Sequence, residues 1–310
     1  MGRRKRGRPV TGWIVLDKPA GLTSTRATSK VRAMLDAQRA GHGGTLDPLA
    51  TGVLPIALGE ATKTVSYVLD GSKSYRFTVR FGEARSTDDA EGAVTDTSDR
   101  RPADEDIAAA LPGFTGAIEQ TPPAYSAIHI DGRRAYDLAR ADRQVVIAPR
   151  TVHVDAFALV ARPDADHAVF EVSCGKGTYM RALARDLSLR LGTVGHIAAL
   201  RRTRCGPFTE EGAISLDSLA TLMHSAPPSE YLLAVETALD DIPALALNAT
   251  QADHLRHGRP VRVRGEEGRR FVETGSLDDG AVLCAMAEGR AVALARLVGD
   301  EIRPMRVLNV

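Results

Sequence analysis

Apolar and polar residues repeat along this chain with two different periods, and the two periods alternate between loops rich in turn residues. Residues 12–16 are a short apolar run that predicts a buried strand. The polar loop DKPAGLTS follows, and its Ser24 or Thr25 is a candidate cap for a helix running to about residue 38 with Val31, Met34 and Leu35 facing inward. Residues 41–52, GHGGTLDPLATG, are dense in glycine and predict a loop whose backbone can adopt conformations closed to bulkier residues. Residues 75–81 then alternate strictly. Tyr75, Phe77, Val79 and Phe81 fall on one face and Arg76, Thr78 and Arg80 on the other, which predicts a half-buried strand.

Further on, residues 83–106 read as a long connection leading into a short helix over about 105–111, stopped by Pro112-Gly113. Residues 119–150 open on Gln-Thr-Pro-Pro, contain an Asp131-Gly132 turn and a short helical pattern over 134–141, and read as a projecting insertion. A second alternating strand is expected over 167–174. The next segment, 179–191, stacks Leu183, Leu187 and Leu191 on one helical face before Gly192 ends it. Residues 197–208 predict another strand and turn. After Pro227-Pro228 the texture changes to short apolar runs punctuated by glycine, the pattern of a small β-barrel, so a boundary is expected near 235–245. The expected organisation is a basic arm over 1–11, a large α+β domain over 12–240 and a small β domain over 241–310.

Composition narrows the class without naming a function. The 310 residues are 44% hydrophobic and 25% charged, ordinary for a globular chain and too apolar for disorder. Three cysteines, Cys174, Cys205 and Cys284, lie far apart with no CxxC pair, which suits a reducing compartment, so a cytoplasmic protein is expected. The apolar run after the basic start is too short for a signal peptide, and no stretch of 18 apolar residues predicts a membrane span. Net charge is only +1, but it is segregated. Residues 1–8 carry five Lys/Arg and no acid, residues 176–204 carry seven against Asp186 alone, and residues 87–106 carry eight acids and two arginines. Basic segments of this kind either face a polyanion or are solvated helix faces. Arg201 and Arg202 are among the candidate phosphate contacts.

Asp47 is the candidate for chemistry. A carboxylate in a glycine-lined loop and followed by proline is either a mounted nucleophile or base, or an ordinary turn cap. Arg181, at the start of its helix, could pair with that carboxylate and keep it ionised, or serve as a surface charge. Tyr75 suits a stacking platform for a nucleobase as well as a core position. His42 and Tyr179 have the same double reading, a contact to RNA or a local structural role. The P-loop, dinucleotide, zinc-deaminase and G-x-S-x-G signatures are all broken or missing, so neither an organic cofactor nor a metal is expected.

Five segments in this order, DKPAGLTS (17–24), GHGGTLDPLATGVLPIALGEATK (41–63), KSYRF (73–77), CGKGTYMRALARDL (174–187) and HIAALRRTRCGPF (196–208), resemble the motifs of the TruB family of bacterial tRNA pseudouridine synthases. The resemblance implies isomerisation of uridine 55 in the T-arm of tRNA after the base is flipped out. It implies Asp47 as the catalytic carboxylate, with Arg181 ion-paired to it. Tyr75 would stack on the base and take part in proton removal from C5. His42 would contact RNA near the flipped nucleotide, Tyr179 would line the pocket, and Leu200 would close its apolar side. It further implies the pseudouridine-synthase fold, a mixed and largely antiparallel sheet with flanking helices and a central cleft. The insertion at about 119–150 would grip RNA, and the tail at 241–310 resembles a PUA domain. A monomer acting on tRNA without cofactor is expected. A non-catalytic RNA-binding or tRNA-folding protein on the same scaffold is the alternative. A nucleoside glycosidase is disfavoured because no second carboxylate is evident near Asp47.

Overall fold

The computed structural model describes residues 7–126, 147–263 and 278–310, together with the backbone of two short strands, 129–130 and 133–134. Most of the expected insertion at 119–150 and of the arm at 1–11 lies outside the described residues.

A nine-stranded sheet forms the larger part of the chain. Its main path runs β1 (Gly12–Lys18), β3 (Thr51–Leu58), β12 (Gly195–Cys205), β4 (Lys73–Phe81), β11 (His167–Cys174), β10 (Arg150–Ala161) and β7 (Gly116–Gln120), while β2 (Ala40–His42) pairs with β3 and β13 (Phe208–Thr209) with β12. Every pairing is antiparallel except β12 with β3, which is parallel and joins only Arg201 to Thr51 and Arg202 to Gly52. The sheet is therefore mixed and largely antiparallel, with one short parallel seam between β3 and β12. Strand β3 reads TGVLPIAL and is buried over seven of its eight residues, as a central strand covered on both faces must be. In β4 the alternation holds: Phe77, Val79 and Phe81 are buried while Arg76 is exposed.

Helix α1 (Ser24–Met34) and helix α4 (Met180–Arg190) pack on the sheet through Val31, Leu183 and Leu187. Between them in sequence lie α2 (Val65–Asp70) and α3 (Asp104–Ala110). Thr23, not Ser24 or Thr25, caps α1, its hydroxyl accepting from the Arg26 amide at 3.2 Å. Ser24 has a different task. It is buried, donates to the Leu46 carbonyl at 3.1 Å and accepts from the Leu46 amide at 2.8 Å, which ties α1 to the glycine-rich loop. The helix ends at Met34, short of residue 38, because Leu35 is its C-cap and Asp36 turns left-handed with φ 48°. The connection over 83–106 is not structureless: it contains the hairpin β5 (Glu83–Arg85) and β6 (Val94–Thr97). Charged, turn-rich sequence hides such short strands from any periodicity argument.

The tail forms a separate five-stranded sheet in the order β14 (Ala244–Ala246), β16 (Val282–Ala287), β17 (Arg290–Val298), β18 (Glu301–Val307) and β15 (Val261–Arg262). Its end strands β14 and β15 do not pair with each other among the described residues, so the sheet curls into half a barrel. The last helices are α5 (Leu216–Ser225) and α6 (Ala249–Arg256). The two sheets share an apolar layer in which Trp13, Val53 and Phe208 of the first sheet join Cys284, Leu294 and Leu308 of the tail. Among the described residues no helix is long and apolar enough to cross a membrane.

Candidate active site

A cleft of about 510 Å³ opens beside β4 and β12 of the large sheet. Asp47, Tyr75, Tyr179, Arg181 and Leu200 all line it, so one hollow gathers residues that are up to 153 positions apart in the chain.

The loop bearing Asp47 is fixed from several sides. Gly43 donates to the Pro55 carbonyl at 2.8 Å, and a Cβ at Gly43 would sit 2.6 Å from Val68 Cγ1, so only glycine fits. Pro48 presents its carbonyl to the Gly21 amide at 2.8 Å and to Lys18 Nζ at 3.2 Å. Lys18 is wholly buried and also donates to the Pro19 and Leu22 carbonyls; burial pulls its ammonium down to about 8. Two sides of the loop are thus tied to the segment that follows β1.

Arg181 meets Asp47 through two parallel bonds, Nε to Oδ2 at 2.9 Å and Nη2 to Oδ1 at 3.2 Å. Its guanidinium is only 4% exposed and spends its remaining donors on the Thr87 carbonyl at 2.9 Å and the Tyr125 carbonyl at 2.8 Å. Such a bidentate pair is strong and directional, and a guanidinium also bonded to two backbone carbonyls is held in place. The Asp47 side chain remains 33% exposed. A carboxylate offers about four acceptor positions, and Arg181 takes one on each oxygen, so both oxygens keep acceptor capacity.

Residues missed by sequence reasoning complete this network. Asp89 is buried, with Oδ2 3.6 Å from Arg181 Nε, and it accepts from the Thr87 hydroxyl and the Glu91 amide. The expectation that no second carboxylate lies near Asp47 is therefore corrected: the β5–β6 hairpin brings Asp89 to the same Nε of Arg181 that Asp47 bonds. Asp88, with φ 59°, pairs with Arg185 at 3.0 Å, and Arg185 also donates to the Thr121 carbonyl. Only the acid density of 87–106 hinted at this, and density does not identify a partner 92 or more residues away.

Tyr75 is half-buried on β4, directly opposite Arg202 of β12. Burial pushes its phenol up to about 12, against the opposing pull of Arg202, which also hydrogen-bonds it. Arg202 itself is 1% exposed and donates to the Val53 carbonyl at 2.8 Å and the Gly44 carbonyl at 3.1 Å. It is a strut beneath the cleft and not a surface phosphate contact. Arg201 is likewise committed, to Asp17 at 2.9 Å and Glu210 at 2.9 Å. The charge count at 176–204 overstated the free basic surface because it could not see these partners.

Tyr179 is the N-cap residue of α4, where its side chain makes no cap bond. Gln120, at the end of β7 and 1% exposed, instead holds the cap residue's backbone: its carboxamide accepts from the Tyr179 amide at 2.8 Å and donates to the Tyr179 carbonyl at 3.2 Å. Arg150, the cross-strand neighbour of Gln120, places its guanidinium 5.1 Å from the Tyr179 ring centroid. Leu200 is buried on β12 and forms part of the cleft wall. His42 stands apart from the other candidates. It lies half-buried on β2, outside the cleft wall, with its Nδ1 buried and without a partner among the described residues. Burial, and then Arg202, lower its pKa, so the ring is neutral at pH 7.

Residues 32–180 match the model of the TruB family pseudouridylate synthase N-terminal domain, and residues 181–240 match that of the tRNA pseudouridylate synthase B C-terminal domain. Over the whole chain, tRNA pseudouridine synthase B of Gluconacetobacter diazotrophicus is 56% identical across 308 residues, covering 99% of this chain and 100% of that one. The chain belongs to the TruB family. The same-named protein of Rhodospirillum rubrum is 53% identical over 310 residues, with both chains fully covered. Among solved structures, a Cbf5–Nop10–Gar1 complex matches with TM-score 0.74 and 25% identity, covering 96% of this chain and 84% of that one. An H/ACA ribonucleoprotein bound to a substrate RNA containing 2′-deoxyuridine has the same TM-score at 23% identity and shows the shared fold. As a TruB-family member the chain is a pseudouridine synthase, an isomerase, and the α+β fold expected from the motifs is the fold observed.

Proposed function

We propose that this chain isomerises uridine 55 in the T-arm of tRNA to pseudouridine, with Asp47 as the catalytic carboxylate. The observation that carries the reading is the bidentate Asp47–Arg181 pair in a nucleotide-sized cleft walled by Tyr75, Tyr179 and Leu200.

In this reaction the N1–C1′ bond breaks, the base turns, a C5–C1′ bond forms, the proton on C5 leaves and N1 gains one. Composition and oxidation state are unchanged, so one well-held ionised group suffices. Arg181 holds Asp47 in a single orientation while the carboxylate's remaining lone pairs are available to the sugar or the ring. A base inside a folded T-arm must first be extruded at a cost of a few kcal/mol, and stacking on an aromatic ring returns ~1–3 kcal/mol. Tyr75 suits that stacking. It enters as a neutral phenol, so it can take the C5 proton only as its own O–H proton passes to a neighbouring acceptor in the same step. Asp89 acts through Arg181 as a positioning residue. His42, neutral and outside the cleft wall, contacts the RNA near the flipped nucleotide.

Within this reading residues 12–240 are the catalytic domain, with RNA gripped by the insertion at about 119–150. Residues 241–310 are a PUA-like RNA-binding domain, supported by their separate sheet and by exposed Arg256 and Arg259. The arm at 1–11 adds phosphate contacts, and the protein acts as a monomer in the cytoplasm.

The test is Asp47→Asn with tRNA carrying uridine tritiated at C5. Tritium release falls by at least about 1000-fold while the Kd for tRNA stays within about twofold, because an amide keeps the shape and loses the charge. Substantial residual release would remove Asp47 from the reaction.

A further inference from the structure

Ser126 closes the wall of the same cleft, one residue beyond the Tyr125 carbonyl that accepts from Arg181. It is 4% exposed, and its Oγ is buried with no hydrogen-bond partner among the described residues. An unpaired buried hydroxyl is unfavourable, and replacing it with an apolar group of similar size should cost nothing or stabilise the fold. Neighbouring hydroxyls in this molecule are satisfied: Ser24 bonds Leu46, Thr87 bonds Asp89 and Thr178 bonds the Gly175 carbonyl. Among the described residues, Ser126 Oγ is the buried cleft-wall hydroxyl that has no partner.

We propose that Ser126 is a specificity-determining residue whose hydroxyl hydrogen-bonds the flipped target uridine, so that its missing partner is supplied by the substrate. The inference rests on the proposed function above. Uracil offers the O2 and O4 acceptors and the N3–H donor, the ribose offers its 2′-hydroxyl, and a serine hydroxyl can serve any of them by donating or accepting. The nearby carbonyl of Tyr125 is held by Arg181, so the Ser126 backbone is anchored beside Asp47 before substrate arrives.

The experiment compares the full-length protein with Ser126→Ala. Wild-type conversion of tRNA is measured first, and its failure would overturn the proposed function and not this inference alone. Given wild-type turnover, Ser126→Ala lowers kcat/KM about 3- to 10-fold, the range for one neutral hydrogen bond, while Tm stays unchanged or rises. Repeating the comparison with 2′-deoxyuridine at the target position locates the bond. A retained defect assigns it to the base, and an abolished defect assigns it to the 2′-hydroxyl. Unchanged kcat/KM in Ser126→Ala overturns the proposal. A fall in kcat/KM accompanied by a lower Tm also overturns it, since that pair of results marks a packing role.

Discussion

Asp47, Arg181 and Tyr75 each follow from local chemistry that can be checked one side chain at a time. Tyr75→Phe preserves the ring for stacking and removes the phenol oxygen, so tRNA affinity is expected to hold while turnover is lost. Tyr75 also predicts the form of the pH profile. Its folded-state pKa is raised to about 12, so the group stays neutral up to that value and contributes no alkaline limb between pH 6 and 10. A limb near pH 10 in the wild-type single-turnover rate that tracked the ultraviolet titration of a tyrosine would mean a phenol titrating in water-like surroundings, contrary to this burial. Arg202 gives the opposite case, a charge with a structural task. Arg202→Ala leaves the Val53 and Gly44 carbonyls unpaired and opens a void beneath the cleft. The expected cost is ~3–5 kcal/mol in urea unfolding, with no change in the salt slope of tRNA binding.

At the scale of elements, the α4 N-terminus is the joint on which the cleft turns. Residues 179–181 deliver both the Tyr179 ring and the Arg181 guanidinium, and the Gln120 carboxamide at the end of β7 is what fixes that turn. Gln120→Ala therefore costs ~1–3 kcal/mol of stability through two lost bonds to buried backbone groups. It is also expected to lower kcat more than it raises KM, because Arg181 loses its register against Asp47. An equal change in Tm with unaltered kcat would reduce Gln120 to an ordinary cap. The β5–β6 hairpin plays the matching part on the other side, carrying Thr87, Asp88 and Asp89 to Arg181 and Arg185 of α4. Its short strands carry no periodic signal, and its acids gain meaning only from what they face.

For the whole molecule, the two sheets are stabilised jointly. Trp13, Val53 and Phe208 pack in one layer with Cys284, Leu294 and Leu308, and three polar ties cross the same junction. These run from Lys63 to the Val307 carbonyl at 2.7 Å, from the Ala291 amide to Glu236 at 2.6 Å and from the Asn309 amide to Glu60 at 3.0 Å. A chain truncated after residue 240 would expose that apolar layer. It is expected to melt several degrees lower, bind a hydrophobic dye and aggregate at concentrations where the full chain is soluble. A truncated chain with unaltered Tm would show the tail to be an independent unit on a tether.

The sequence by itself determined the alternation of β4 and β11, the amphipathic face of α4, the glycine-rich loop that presents Asp47, and, through five ordered motifs, the family. Those features are local: each rests on spacing within a dozen residues, where period and backbone sterics leave few choices. Only the tertiary structure decided which charges are committed. Arg201 and Arg202 read as free cations until Asp17, Glu210, Val53 and Gly44 come to meet them, and Asp89 reads as one acid among eight until the hairpin sets it against Arg181. Pairing of buried charge depends on desolvation and on distances across the fold, quantities that a linear chain does not contain.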